Sequence, residues 1–370
     1  MIPNELKLPL YARVIVFLIG IFALLTMLYI AQGIIIPLLF AIIFAIVFHP
    51  VVNFFVRLRI NRVVAIVITL TLAILIFAAL GILLFYQAIR FSESLPKLID
   101  KFTEILNQLA AWASGYFDIS PPKIDDWISK VKETFINNGS AEMGQTLVAL
   151  LHKLVLLILI PVYIFMILFY QPLLLEFFRR LFGKKNRNEV SEIITQIKSL
   201  IQSYLIGLIM EVTIVATLYS IGLLILGIEY AIILGIIGAL LNLIPYLGVI
   251  IAASFPMMIA IVSKTSPWIA VLVLAIYIFI HIIDNNYIVP RLVASKVKIN
   301  ALVTIIMVIS FGALWGIPGM ILSIPLTGIV KLVFDHIEIL KPWGFLLGDT
   351  MPPLLKIKTI RIKQVKNKPA

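Results

Sequence analysis

Two acidic residues stand in sequence that has almost no other charge. Glu211 lies within SYLIGLIMEVTIVATLY, and Asp284 within HIIDNNYIVPRL. A carboxylate in so apolar a setting is expensive, and where a chain keeps one it marks an ion or substrate path. Counted from Ser203, Glu211 sits about 12 Å along a helix. It shares a face with Tyr204, Gly207, Val215 and Leu218, and the glycine lets a neighbouring helix come close. The alternative is a glutamic acid hydrogen-bonded for structure alone. His281 precedes Asp284 by three residues, so the two share one helical face, with Tyr277 a turn earlier. An acid beside an imidazole can relay protons. Equally, DNN followed by Pro290 reads as a helix break at an interface, with His281 a structural residue. Asn285 adds an amide next to Asp284, and Asn242 offers both a carbonyl and an amide that can meet a cation. Glu211, Asn242, Asp284 and Asn285 form the expected substrate or ion set.

Asn242 stands in NLIPYLG, inside a run from Tyr230 to Ser263 without one charge. The run holds Pro245 and Gly248 near its middle, where a helix tolerates them badly. A second charge-free run, 299–330, carries GALWGIPG at its centre, with Gly312, Trp315, Gly316 and Pro318. Each run is long for one upright span and short for two. Broken backbone at membrane depth survives only where it is buried in protein or lines a cavity. Paired, interrupted apolar segments are the best sequence pointer to a transporter's binding site. Both runs are therefore expected to be half-membrane hairpins, with these residues at their tips.

The elements that must position these groups follow from composition. The chain is 62% hydrophobic and 13% charged, with mean hydropathy +1.12. Soluble domains carry about 25% charged residues, so the chain is a helical membrane protein. Its charge-free runs reach the ~20 residues a spanning helix needs. The run 14–31 is longer than the core of a signal peptide and leads straight into more apolar sequence, so it is a span. The segments 1–13, 49–62, 171–200, 291–298 and 331–370 together carry +15, and the rest of the chain −3, for a net charge of +12. Lys and Arg gather on the cytoplasmic side of membrane proteins, which places these pieces inside and makes a nucleic-acid partner unnecessary. The tail Lys356–Lys368 can also meet anionic lipid headgroups.

Threaded on that basis, 1–90 gives N-terminal spans joined by a turn at Gln32–Gly33. Residues 91–146 form an external helical segment, with one stripe from Leu98 to Tyr116 and a second helix after Ser120–Pro121–Pro122. Residues 147–202 are a returning span and a cytoplasmic amphipathic helix. A core at 203–334 holds hairpins 230–263 and 299–330, entering from opposite faces, and 335–370 is a basic tail. The expected fold is all-α and polytopic, with about six spans and two re-entrant hairpins.

With no cysteine there is no thiolate metal site. HExxH and GxSxG are absent, and FGKKN lacks the first glycine and the hydroxyl of a phosphate-binding loop. No catalytic residue, metal or cofactor is expected, only coupling to H+ or Na+.

The stretch SYLIGLIMEVTIVATLYSIGLLILGIEYAIILGIIGALLNLIPYLGVIIA resembles the autoinducer-2 exporter family of PerM-like permeases. So does HIIDNNYIVPRLVASKVKINALVTIIMVISFGALWGIPGMILSIPLTGIVKLVF. The shared elements are IPYLG, the Asp284-to-Pro290 spacing and the paired tips, over a region ending near Phe334. The resemblance implies a multi-pass bacterial inner-membrane transporter, and a homo-oligomer with the N-terminal spans at its interface is expected. Members of the family are linked to autoinducer-2 export or to sodium or lithium–proton antiport, so the substrate is a small solute or an ion. The alternatives are a passive pore, or a membrane scaffold that transports nothing.

Overall fold

A backbone that cannot reach water must pair its own N–H and C=O groups, so the apolar runs fold as helices. The computed structural model describes residues 9–117, 158–181, 187–244, 248–264, 266 and 268–350. In chain order these form α1 (Leu10–Ile30), α2 (Gln32–Arg57), α3 (Arg62–Phe117), α4 (Ile158–Phe169) and α5 (Gln171–Leu181). Then come α6 (Arg187–Ile225), α7 (Ala231–Asn242), α8 (Gly248–Ser263) and α9 (Trp268–Ile283). Two π-helical turns, Asp284–Ile288 and Pro290–Ala294, lead to α10 (Ala301–His336) and α11 (Lys341–Leu347). Among the described residues six helices are long and apolar enough to cross a membrane, and α4 with α5, bent by 65°, makes a seventh if taken as one span. The protein is an all-α polytopic membrane protein, as its composition implies.

Three boundaries differ from the sequence reading. The first turn falls at Ala31, which caps both α1 and α2. Helix α3 runs unbroken for 56 residues, through the 90/91 boundary expected between span and external segment. That is about 84 Å of helix, far more than a hydrocarbon core of about 30 Å. The stripe from Leu98 continues the helix rather than starting another. The amphipathic helix expected before 203 is likewise fused with the span after it, as α6. The second external helix, Pro245 and the tail Lys356–Lys368 lie outside the described residues.

Helices α2, α3 and α4 pack through Ala41, Ala45, Ala65, Ile66, Ile164 and Leu168. Arg62 locks them by donating to the Leu168 carbonyl at 2.7 Å and to Gln171 Oε1 at 3.0 Å. A second core joins α6 to α9 through Val215, Tyr219, Ala253, Ala260, Val273 and Tyr277. The two meet where Lys198 donates to His49 Nδ1 at 2.9 Å and Gln202 to the Ile46 carbonyl at 2.7 Å. Helix α1 buries no residue.

Two hairpins stand out. In the first, α7 turns back into α8, and a Cβ added at Gly248 would strike the Leu241 carbonyl. In the second, α10 breaks at Gly316, whose φ of 65° and ψ of −145° suit glycine alone. Gly319 there backs onto the Phe311 carbonyl, and Gly312 onto Met320. In a straight helix such pairs stand about 12 Å apart, so α10 is a hairpin folded at Gly316.

Candidate functional site

The site grows from one face of α6. Glu211, Val215 and Tyr219 recur at four-residue spacing, so they line up toward the same neighbours. Small residues let those neighbours come close. A Cβ at Gly207 would meet the Leu292 carbonyl, and one at Gly235 would meet Ser220, so the π-helical segment and α7 both lie flush on α6.

The end of α9 brings Asp284 in. Pro290 has no N–H to donate and its ring crowds the carbonyl one turn back, so a regular α-helix cannot pass through it. The backbone widens instead, and the Val289 N–H reaches back five residues to the Asp284 carbonyl. Asn286 Nδ2 caps the Ile282 carbonyl at 2.8 Å. Such π turns are frequent at functional sites. Here the turn begins on Asp284 and leaves it 1% exposed.

Asn242, the last residue of α7, completes the group. Its Nδ2 donates to Asp284 Oδ2 at 2.7 Å. Among the described residues the other carboxyl oxygen, Oδ1, has no hydrogen-bond partner, and neither has the buried Tyr219 hydroxyl. Glu211 is 6% exposed, two turns before Tyr219 on the same face of α6. Tyr219 stacks on Tyr277 with ring centroids 4.0 Å apart, and the Tyr277 hydroxyl points at the Leu234 carbonyl at 3.5 Å. Gly238 leaves room for that phenol, since a Cβ there would lie 3.0 Å from its oxygen. A carboxyl with its amide partner and a pair of stacked phenols are thus buried in the core that α6 forms with α7 and α9, and Glu211 is buried on the same face of α6. A buried acceptor without a partner asks for one, and a proton or small cation would supply it.

Of the four residues expected to bind, the structure joins Asn242 to Asp284 and buries Glu211 on the α6 face that carries Tyr219. Asn285 is exposed and contacts His281 Nε2 at 2.9 Å instead. His281 Nδ1 is itself buried without a partner among the described residues. Pro290 sets the π turns, and Gly248 closes the first hairpin's neck. The second tip sits elsewhere: Trp315 is buried and donates its indole N–H to the Leu28 carbonyl of α1 at 3.2 Å. Gly312 faces Met320 across that hairpin, while Gly316 and Pro318 are exposed at its fold. Tyr219 was missed in the sequence, although it falls eight residues after Glu211 on the same face. A tyrosine in an apolar run reads as packing, and only the folded chain shows its hydroxyl buried with no hydrogen-bond partner among the described residues.

A polytopic helical bundle with carboxyls and an open acceptor sealed in its core is the build of a membrane transport protein. Residues 15–339 match the family described as "AI-2E family transporter", and the chain belongs to that family. It is 24% identical to the "Putative transport protein YhhT" of Escherichia coli (strain K12), over 92% of this chain and 93% of that protein. It is 24% identical to the "Putative transport protein YueF" of Bacillus subtilis (strain 168), over 81% of this chain and 83% of that one. With the "AI-2 transport protein TqsA" of Escherichia coli (strain K12) it shares 27% identity, over 83% of this chain and 87% of that protein.

Proposed function

We propose that the protein is a secondary transporter of the bacterial inner membrane. Glu211, Asn242 and Asp284 bind its coupling ion, H+ or Na+. Its substrate is a small solute of the autoinducer-2 kind, or a cation exchanged for protons. The observation that carries this reading is the Asp284 carboxyl, which is buried, held by Asn242 through one oxygen and open at the other. A structural acid would close both oxygens, because an unpaired buried acceptor is costly. An ion-binding acid keeps one free. The name of TqsA supports a small-solute cargo.

In this reading both hairpins are re-entrant and enter from opposite faces. That leaves Arg291, Lys296 and Lys298 cytoplasmic with both termini, as the charge rule asks. Helices α6 to α10 move against the scaffold of α2, α3 and α4, while the open face of α1 meets lipid or a second copy. The test is flux in proteoliposomes, with hairpin placement checked by single-cysteine labelling. Uphill movement of solute or cation that stops when the ion gradient is collapsed supports the carrier. Flux that only follows the solute's own gradient makes the protein a pore. Cysteines at 229 and 264 should label from the same face, and labelling from opposite faces refutes the first re-entrant hairpin.

A further inference from the structure

A second polar place lies apart from the carboxyl group. Ser295–Lys298 leaves the second π turn and crosses between α6 and α10. Its Val297 is buried, and a Cβ at Gly328 would stand 2.6 Å from Val297 Cγ1, so the crossing lies flush on α10. Over this apolar floor opens a cleft of about 500 Å³. Ser199 and Ser203, one turn apart on α6, line one wall; Ser295, Lys296 and Lys298 line the crossing, and Lys331 the α10 side. Among the described residues the only acid in the lining is Asp335, which Lys331 holds at 2.6 Å. His336 also lines the cleft, with Nδ1 turned to the Leu332 carbonyl at 2.8 Å. Three lysines therefore line the cleft with one carboxylate, and that carboxylate is paired with Lys331.

The crossing is also fixed in place. Lys298 has a φ of 52°, a left-handed backbone that a lysine adopts only under constraint. The constraint follows at once. Ile299 bridges to Gly348, and the Asn300 N–H donates to the Leu347 carbonyl at 3.1 Å. Asn300 Nδ2 donates to the carbonyls of Leu346 at 2.7 Å and Gly348 at 3.0 Å. Backbone held in a sparsely populated region gathers at ligand sites.

We propose that this cleft binds a phosphate oxyanion, supplied by an anionic phospholipid headgroup or by a free phosphate-bearing solute. Lysine ammonium groups and serine hydroxyls are donors to phosphate oxygens. Basic pockets between membrane helices hold such headgroups, and the volume lies within the range of small-ligand sites. The proposal does not depend on the coupling site, whose residues lie elsewhere.

The experiment uses the purified full chain in detergent. Phosphatidylglycerol and phosphatidylcholine are compared by native mass spectrometry. Sodium phosphate and sodium chloride are compared, at matched ionic strength, by the shift in Tm. The test variant is Lys296→Gln/Lys298→Gln, which leaves the Lys331–Asp335 pair intact. Lys264→Gln, between α8 and α9, controls for charge. Half-saturation should weaken about tenfold or more in the double variant and stay unchanged in the control. Loss of selective phosphatidylglycerol binding identifies the lipid source; loss of the phosphate-specific Tm shift identifies the soluble one. If neither probe acts on the wild type, or both act equally on the double variant, the proposal is wrong.

Discussion

The hairpin α7–α8 and the folded α10 come from similar sequence, an apolar run broken by proline and glycine, and they treat their polar groups in opposite ways. In α10, buried Ser323 donates to the Met320 carbonyl and Thr327 to the Ser323 carbonyl, both at 2.6 Å, so the arm satisfies itself. Trp315 at its tip gives its one donor to α1. In the first hairpin, Asn242 reaches out of its helix to Asp284, and one Asp284 oxygen is left open. A broken apolar helix is thus not in itself a site. It becomes one where the freed polar group meets an unsatisfied partner from another element.

The two turns also need glycine for different reasons, and this gives the largest expected effect. At Gly248 a side chain meets backbone, the Leu241 carbonyl, which cannot step aside. Gly248→Ala should cost more than about 3 kcal/mol, and Gly248→Leu more again. Around Gly316 there is nothing within 4 Å, but its φ of 65° is unsuited to any L side chain. Gly316→Ala should cost about 1–3 kcal/mol, and Gly316→Leu about the same. Thermal unfolding of the four variants checks this. A size dependence at 316, or none at 248, breaks the distinction between lack of space and backbone angle.

Next in size is the Asn242–Asp284 bond. Asn242→Leu leaves the buried carboxyl with no partner, a loss of roughly 1.5–3 kcal/mol. With the bare carboxylate less stable and the ion-bound form little changed, apparent cation affinity should strengthen by roughly tenfold to a hundredfold. The measurement is half-saturation of flux by the coupling ion, and an unchanged value would detach Asn242 from the site. A smaller effect is expected at the other tip. Trp315→Phe loses one neutral hydrogen bond, about 1 kcal/mol of stability. It should leave the ion dependence of flux alone, and altered ion dependence would mean that the second tip shares the coupling work.

Much of this was legible in the sequence. The apolar runs, the two breaks and the two stray acids came from charge spacing alone, because burying a charge or opening a backbone in lipid is too costly to occur by accident. Gly207 on the face of Glu211 predicted a close neighbour, and that neighbour is the Leu292 backbone. What stayed hidden depended on long-range pairing. Asn242 and Asp284 lie 42 residues apart, and no local pattern announces that one donates to the other. The reading also placed Asn285 in the binding set by adjacency, whereas the π turn rotates it outward. The length of α3 was missed because hydropathy marks where a membrane ends, and a helix need not end with it.

The account rests on the Asp284 carboxyl carrying the coupling ion together with Glu211. The most direct measurement is proteoliposome flux against pH for wild type, Asp284→Asn and Glu211→Gln at matched protein density. Both substitutions keep size and hydrogen-bonding capacity while removing the charge. The expected result is that both variants retain wild-type elution volume and Tm within a few degrees, lose concentrative flux, and show residual flux that no longer varies with pH. Wild-type concentrative flux and pH profile in Asp284→Asn would contradict the account and make this carboxyl a structural one.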